Sequence, residues 1–330
     1  MKVTTLSKKL PLSITPVEAY KRVANNGLTE NTILLETAEA ATHANPKSII
    51  AISSAVKISA MDNSVELLAL NDNGESLLKC FDYSNLKHFS ISKSRIKVLL
   101  TLNVKTTEVE EEARLYQSST LDVLKSIKSQ IRNDQDLDNT TSYLLGAFSF
   151  DMVDQFEKLP SISKIDEDFV FYVADKLLIQ SIDNNSAQII VKGFGDYAAN
   201  AIHLGLAIDE ISASLLKPAA SLVSNNAYRK VEVNLPDESF SRQVTDAKQH
   251  IINGDVFQVV LARNYQVDCS SPLQAYESLR VNNPSPYMYF LNFGDKQLFG
   301  ASPESCLKVT NEKVVSLYPI AGTRKRAIKS

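Results

Sequence analysis

Val256-Phe257-Gln258-Val259-Val260, Asn283-Pro284-Ser285-Pro286-Tyr287-Met288, Gly300-Ala301-Ser302-Pro303-Glu304-Ser305 and Tyr318-Pro319-Ile320-Ala321-Gly322-Thr323 follow one another in this order in a single stretch of the chain. Short apolar runs broken by proline, glycine and serine read as antiparallel strands, here at 256–268, 286–293, 296–300, 304–309 and 313–320, with one helix near 273–281. Polar groups interrupt these strands at chemically pointed places. Gln258 puts an amide among apolar neighbours, where burial obliges it to find hydrogen-bond partners. Glu304 follows a Ser-Pro turn that can project its carboxylate into a cleft. Gly322 admits close backbone approach, and Thr323 adds a hydroxyl and an N–H. Taken one at a time, each has an ordinary structural explanation: a satisfied core glutamine, a surface glutamate, a small residue ending a strand, a Tyr-Met pair in the core.

Upstream, strands outnumber helices. Thr15-Pro16-Val17-Glu18 is a helix start, with threonine as cap, proline at the first helical position and Glu18 placed for a capping box. Thr32 to Glu36, Ser48 to Ser53, Val56 to Met61 and Val65 to Leu70 read as a meander, with Asp72-Asn73-Gly74 as turn material. Leu121, Leu124, Ile127 and Ile131 fall on one helical face. Leu144 to Phe150, Phe169 to Val173, Leu177 to Ile182 and Ala187 to Val191 read as strands, and Tyr197 to Leu216 as a long helix. From 217 to 236 the periodicity weakens and the stretch reads as a linker. Asp237 then caps a helix with an apolar stripe of Phe240, Val244, Ala247 and Ile251, stopped at Asn253-Gly254.

Composition bounds the function. A net charge of −3 and a pI near 5.9 give no electrostatic footprint for nucleic acid or an anionic membrane. No apolar run approaches a membrane span. The cysteines, Cys80, Cys269 and Cys306, are odd in number and far apart, which fits neither a disulfide framework nor a zinc site and suits a reducing cytoplasm. The expectation is a cytoplasmic protein with small-molecule or protein partners.

The four sites together resemble the chorismate-utilising enzymes, in particular the large subunit (component I) of anthranilate synthase; Leu34-Leu35-Glu36-Thr37 and Gly146-Ala147-Phe148-Ser149-Phe150-Asp151 extend the likeness toward the N-terminus. The resemblance implies an α+β fold of mostly antiparallel sheets with flanking helices. It implies a lyase in tryptophan biosynthesis that converts chorismate and ammonia, released by a partner glutamine amidotransferase, to anthranilate and pyruvate. Gln258 stands where related isochorismate and salicylate synthases carry a water-activating lysine. An amide has no basic nitrogen, whereas ammonia needs no general base, so the residue argues for ammonia. Glu304 is implied as the acid that protonates the departing C4 hydroxyl, and Gly322 and Thr323 as chorismate binders. Leu35, Glu36 and Thr37, with Pro286, Tyr287 and Met288, are implied to hold the feedback inhibitor tryptophan, Glu36 pairing its ammonium. Threonine at 37 replaces the family's serine and keeps the hydroxyl.

The resemblance divides the chain into an N-terminal regulatory and subunit-contact domain at 1–216, the linker, and the first half of a chorismate-binding catalytic domain at 237–330. The family's Mg2+ ligands lie in a segment expected after Thr323, so no metal ligand is expected in this chain, and a chain lacking them is expected to be inactive alone. Two other readings stand: aminodeoxychorismate synthase component I, which carries a nucleophilic lysine where Ala321 stands here, and a non-catalytic tryptophan-binding or subunit-docking fragment.

Overall fold

The structure, a computed structural model, describes residues 1–37, 47–103, 116–132, 142–157, 166–181, 183–219, 230–310 and 312–318. The elements in chain order are β1 (Val3–Pro11), α1 (Pro16–Val23), β2 (Thr32–Glu36), β3 (Lys47–Met61), β4 (Ser64–Ala69), α2 (Asp72–Cys80), β5 (Phe89–Lys93), β6 (Lys97–Leu102), α3 (Leu121–Gln130), β7 (Leu144–Phe148), β8 (Phe169–Ser181) and β9 (Ser186–Phe194). They continue with α4 (Ala201–Leu216), β10 (Val231–Val233), α5 (Asp237–Asn253), β11 (Tyr265–Val267), α6 (Pro272–Asn282), β12 (Tyr287–Asn292), β13 (Gln297–Ser302), β14 (Lys308–Val309) and β15 (Val315–Ser316).

The fold is α+β and is built on one 11-stranded sheet whose main path runs β1-β9-β8-β3-β2-β12-β13, with β4, β5, β6 and β7 attached beside it. The pairings along it are antiparallel. β2, from the stretch read as N-terminal domain, and β12 and β13, from the stretch read as catalytic half, therefore lie in the same sheet. α1, α4 and α6 cover one face, burying Tyr20, Leu204, Ile211, Leu273 and Tyr276 against Leu34, Ile50, Ile189, Met288 and Phe290. α2 and α3 close a second core over β3, β4 and β6 with Leu77, Val123 and Ile127.

Local sequence explains several boundaries and corrects others. Thr15 caps α1 by accepting from the Glu18 N–H at 3.3 Å. Ser48 to Ser53 and Val56 to Met61 are one strand, β3, and Phe169 to Val173 and Leu177 to Ser181 belong to one strand, β8, Ile182 lying outside the described residues; irregular pairing between them from Ala51 to Val56 breaks the alternation that suggested two. Asp72-Asn73-Gly74 is no turn but the start of α2: Asn71 is the cap, its side chain accepting from the Gly74 N–H at 2.9 Å. Caps and turns use the same residues, so the misreading has a physical origin. Asp237 is the first residue of α5 and pairs with Arg263 rather than capping the helix. Among the described residues, the strand expected at 256–268 survives only as β11, and those expected at 304–309 and 313–320 only as the two-residue strands β14 and β15; 319 and 320 lie outside the described residues.

Gly74 marks the tightest contact in this frame, because a Cβ there would lie 1.9 Å from the Ala55 carbonyl oxygen. That oxygen already accepts from the Leu70 N–H at 2.9 Å, which holds the β3 backbone in place. Gly74→Ala should therefore destabilise the protein by about 1–3 kcal/mol or more, as expected for overpacking. Urea unfolding reads this directly, and a wild-type midpoint would show that the backbone yields without cost.

Candidate functional site

The β2–β12 ladder brings together two of the motifs singled out in the sequence, pairing Glu36 with Met288 and Leu35 with Tyr289. Directly opposed residues share a face, and successive residues along a strand switch faces. Glu36 and Met288 accordingly stand on the helix-covered face, while Leu35 and Tyr289 pack toward the opposite core. A small molecule reaching all of Leu35, Glu36, Thr37, Pro286, Tyr287 and Met288 must sit at the end of the strand pair, where Thr37 and Pro286 are half-buried and Tyr287 is exposed.

At that end Glu36 has a fully buried side chain. Its Oε1 accepts from the Tyr276 hydroxyl at 2.6 Å and from the Arg280 Nε–H at 2.8 Å. Its Oε2 has no hydrogen-bond partner among the described residues. A buried carboxylate is tolerated when paired and hydrogen-bonded, and here one oxygen is supplied with donors while the other is left to receive one. Tyr276 and Arg280 escaped the sequence reading. They stand one turn apart on α6, and that spacing is visible in the sequence, but nothing there says which carboxylate they meet. The ring of Tyr276 also joins the core, 5.8 Å from Phe290 in an edge-on arrangement.

The residues assigned to chemistry are placed differently. Gln258 does not lie inside an apolar strand. It is exposed in an irregular stretch, and the neighbouring Phe257 is fully exposed. Glu304 is half-buried beyond β13, in a turn held by Ser302, whose hydroxyl donates to the Glu304 carbonyl at 2.9 Å and accepts from its N–H at 3.4 Å. Ala321, Gly322 and Thr323 lie outside the described residues. Among the described residues no group of three or more His, Cys, Asp or Glu side chains could hold a metal ion. Among the same residues no helix is long and apolar enough to cross a membrane.

The fold is thus an antiparallel α+β sheet in which the β2 and β12 motifs meet at one end. A family model described as chorismate binding enzyme matches residues 81–329, most of the chain, and the chain belongs to that family. Within it, the chain is similar to "Anthranilate synthase component 1" of Buchnera aphidicola subsp. Acyrthosiphon pisum, 33% identical over 90% of this chain and 58% of that protein. It is also similar to the protein of the same name from Serratia marcescens, 33% identical over 89% of this chain and 57% of that protein. The crystal structure of anthranilate synthase component I from Streptococcus pneumoniae TIGR4 superposes with a TM-score of 0.52 at 22% identity, over 81% of this chain and 52% of that one, which establishes the shared fold. The chain thus spans less than three fifths of the length of these curated relatives.

Tyr276 makes the site sensitive to alkali. Burial first, and the charge of Glu36 second, push its phenol well above the ordinary range. A raised folded-state value means that the neutral phenol stabilises the fold fully below the unfolded value of about 10, and that this contribution is lost as pH rises beyond it. Tyr276→Phe should flatten the alkaline fall in stability followed by urea midpoints above about pH 10. An unchanged slope would mean that Tyr276 ionises in the folded protein as freely as in the unfolded chain.

Proposed function

We propose that this chain carries part of the machinery of an anthranilate synthase component I, acting on chorismate with ammonia delivered by a glutamine amidotransferase partner. The observation that carries the reading is Gln258, in a chain about one-third identical to proteins of that name. An amide has no basic nitrogen with which to activate water, and ammonia is a nucleophile without help. Ammonia adds at C2 of the ring, the C4 hydroxyl departs as water with a proton given by Glu304, and elimination of pyruvate leaves anthranilate. Gly322 and Thr323 grip the substrate through close backbone approach and hydroxyl or N–H donation. The Mg2+ that the family resemblance implies finds no three-ligand cluster among the described residues.

The reading includes feedback by tryptophan at the end of the β2–β12 pair. Support comes from the open Oε2 of Glu36, which can receive the amino-acid ammonium while Arg280 and Tyr276 hold Oε1. Pro286, Tyr287 and Thr37 stand at the same end to wall the indole. Losing a hydrogen bond to a charged group costs roughly 1.5–3 kcal/mol, so Glu36→Gln should weaken tryptophan binding, read by calorimetry, about tenfold to hundredfold. Wild-type chain that is folded yet gives no binding heat and no rise in melting temperature with tryptophan would overturn the inhibitor site.

Chemistry is tested separately. With the chain joined to the remaining part of the Serratia marcescens relative, anthranilate fluorescence should appear from chorismate, ammonium and Mg2+, and Gln258→Lys should abolish it. Retained anthranilate turnover in the lysine variant would remove the amide from any part in choosing the nucleophile.

A further inference from the structure

β8, β9, α2 and α4 border a cavity of about 220 Å³ that shares no lining residue with the end of the β2–β12 pair. Val191, Leu204 and Ala207 make its buried apolar wall, while Asp175, Lys176 and Glu210 bring charge to it. Asp175 is only 3% exposed. Its Oδ2 accepts from the side-chain amides of Asn71 and Asn73 at 3.0 and 3.2 Å, which orients the carboxylate. Asn73 is anchored in turn, donating to the Lys192 carbonyl at 2.8 Å and accepting from the Phe194 N–H at 2.9 Å. Oδ1 of Asp175 is buried and has no hydrogen-bond partner among the described residues, and Asp175 makes no ion pair there. Lys192, the nearby lysine of β9, sends its Nζ to the Ser142 hydroxyl at 2.9 Å instead. A carboxylate withdrawn from water is costly unless donors and an opposite charge reach it, and the two amides supply donors to one oxygen only. Its charge is felt across the cavity: burial first, and Asp175 second, hold the Tyr197 phenol above its ordinary range.

We propose that this cavity binds a primary ammonium carried on a short aliphatic chain, the ammonium donating to Asp175 Oδ1 and the chain lying against Val191, Leu204 and Ala207. The walls select this chemistry by exclusion. An anion meets the charges of Asp175 and Glu210, and a neutral guest leaves the buried carboxylate uncompensated. A bare metal ion needs several converging ligands, and no group of three or more His, Cys, Asp or Glu side chains could hold one among the described residues. A cationic head with N–H donors on an apolar body meets both the carboxylate and the aliphatic wall. Glu210, exposed on α4 and in no ion pair among the described residues, adds a second negative charge to the lining. Lys176 lines the same cavity and is placed to receive a carboxylate where the guest is an aliphatic amino acid rather than a simple amine. The ammonium is common to both.

At neutral pH butylamine should bind the chain saturably and raise its melting temperature. Butanol, with the same chain and no charge, and butyltrimethylammonium, charged but without an N–H, should do neither. Asp175→Asn keeps a carbonyl oxygen for Asn71 and Asn73, so the free variant should hold the wild-type melting temperature while butylamine binding, read by calorimetry, weakens about tenfold to hundredfold. Glu210→Gln alters an exposed side chain and should weaken binding about twofold to fivefold, which keeps the site testable should the asparagine variant unfold. Valine binding more tightly than butylamine would assign the site to amino acids, and more weakly to amines, either result supporting the ammonium site when it is lost with Asp175. No saturable butylamine binding, equal binding of butanol or butyltrimethylammonium, or an unchanged affinity in whichever of the two variants stays folded would overturn the proposal and leave Asp175 as a structural carboxylate.

Discussion

β2 needs partners on both edges. Ile33 and Leu34 have no exposed surface, so the backbone N–H and C=O groups between them cannot turn to water. β3 satisfies one edge, and β12, far later in the chain, satisfies the other. Much of the remaining arrangement follows from that second pairing. It lays α6 against α1, with Lys21 and Glu277 paired at 3.1 Å, and it carries Tyr276 and Arg280 to Glu36. It also brings the Asn292 amide to the Gly27 carbonyl at 2.9 Å, fastening the turn that precedes β2. A ladder of backbone hydrogen bonds thus decides which side chains can meet.

The chain is stabilised unevenly. Around the main sheet, buried aliphatic and aromatic residues come from both ends of the sequence, and Tyr20, Phe290, Tyr276 and Phe299 form a continuous aromatic contact. Within α5 no residue is buried. The contrast bears on chemistry, since charge-stabilising groups act most strongly in sites that exclude water. Gln258 is exposed, so its amide is hydrated and not held in one orientation by burial. The end of the β2–β12 pair is already enclosed: its carboxylate is desolvated and oriented by two fixed donors. The residues proposed for regulation and those proposed for catalysis therefore sit on parts of the fold with different degrees of preorganisation.

The sequence by itself determined much of what depends on near neighbours. Thr15-Pro16 started α1, Gly254 in the left-handed conformation stopped α5, and the apolar run Thr32 to Glu36 marked β2 at the right residues, because caps, φ preferences and side-chain period are local. The motif residues were legible as types, and their order along the chain carried the family resemblance. Only the tertiary structure decided that β3 and β8 are each one long strand, that Gln258 is exposed, and that Glu36 is gripped by Tyr276 and Arg280. Whether an apolar stretch is buried depends on what lies against it, and which carboxylate meets which donor depends on strand pairing between distant segments. Neither is encoded in any window of neighbouring residues.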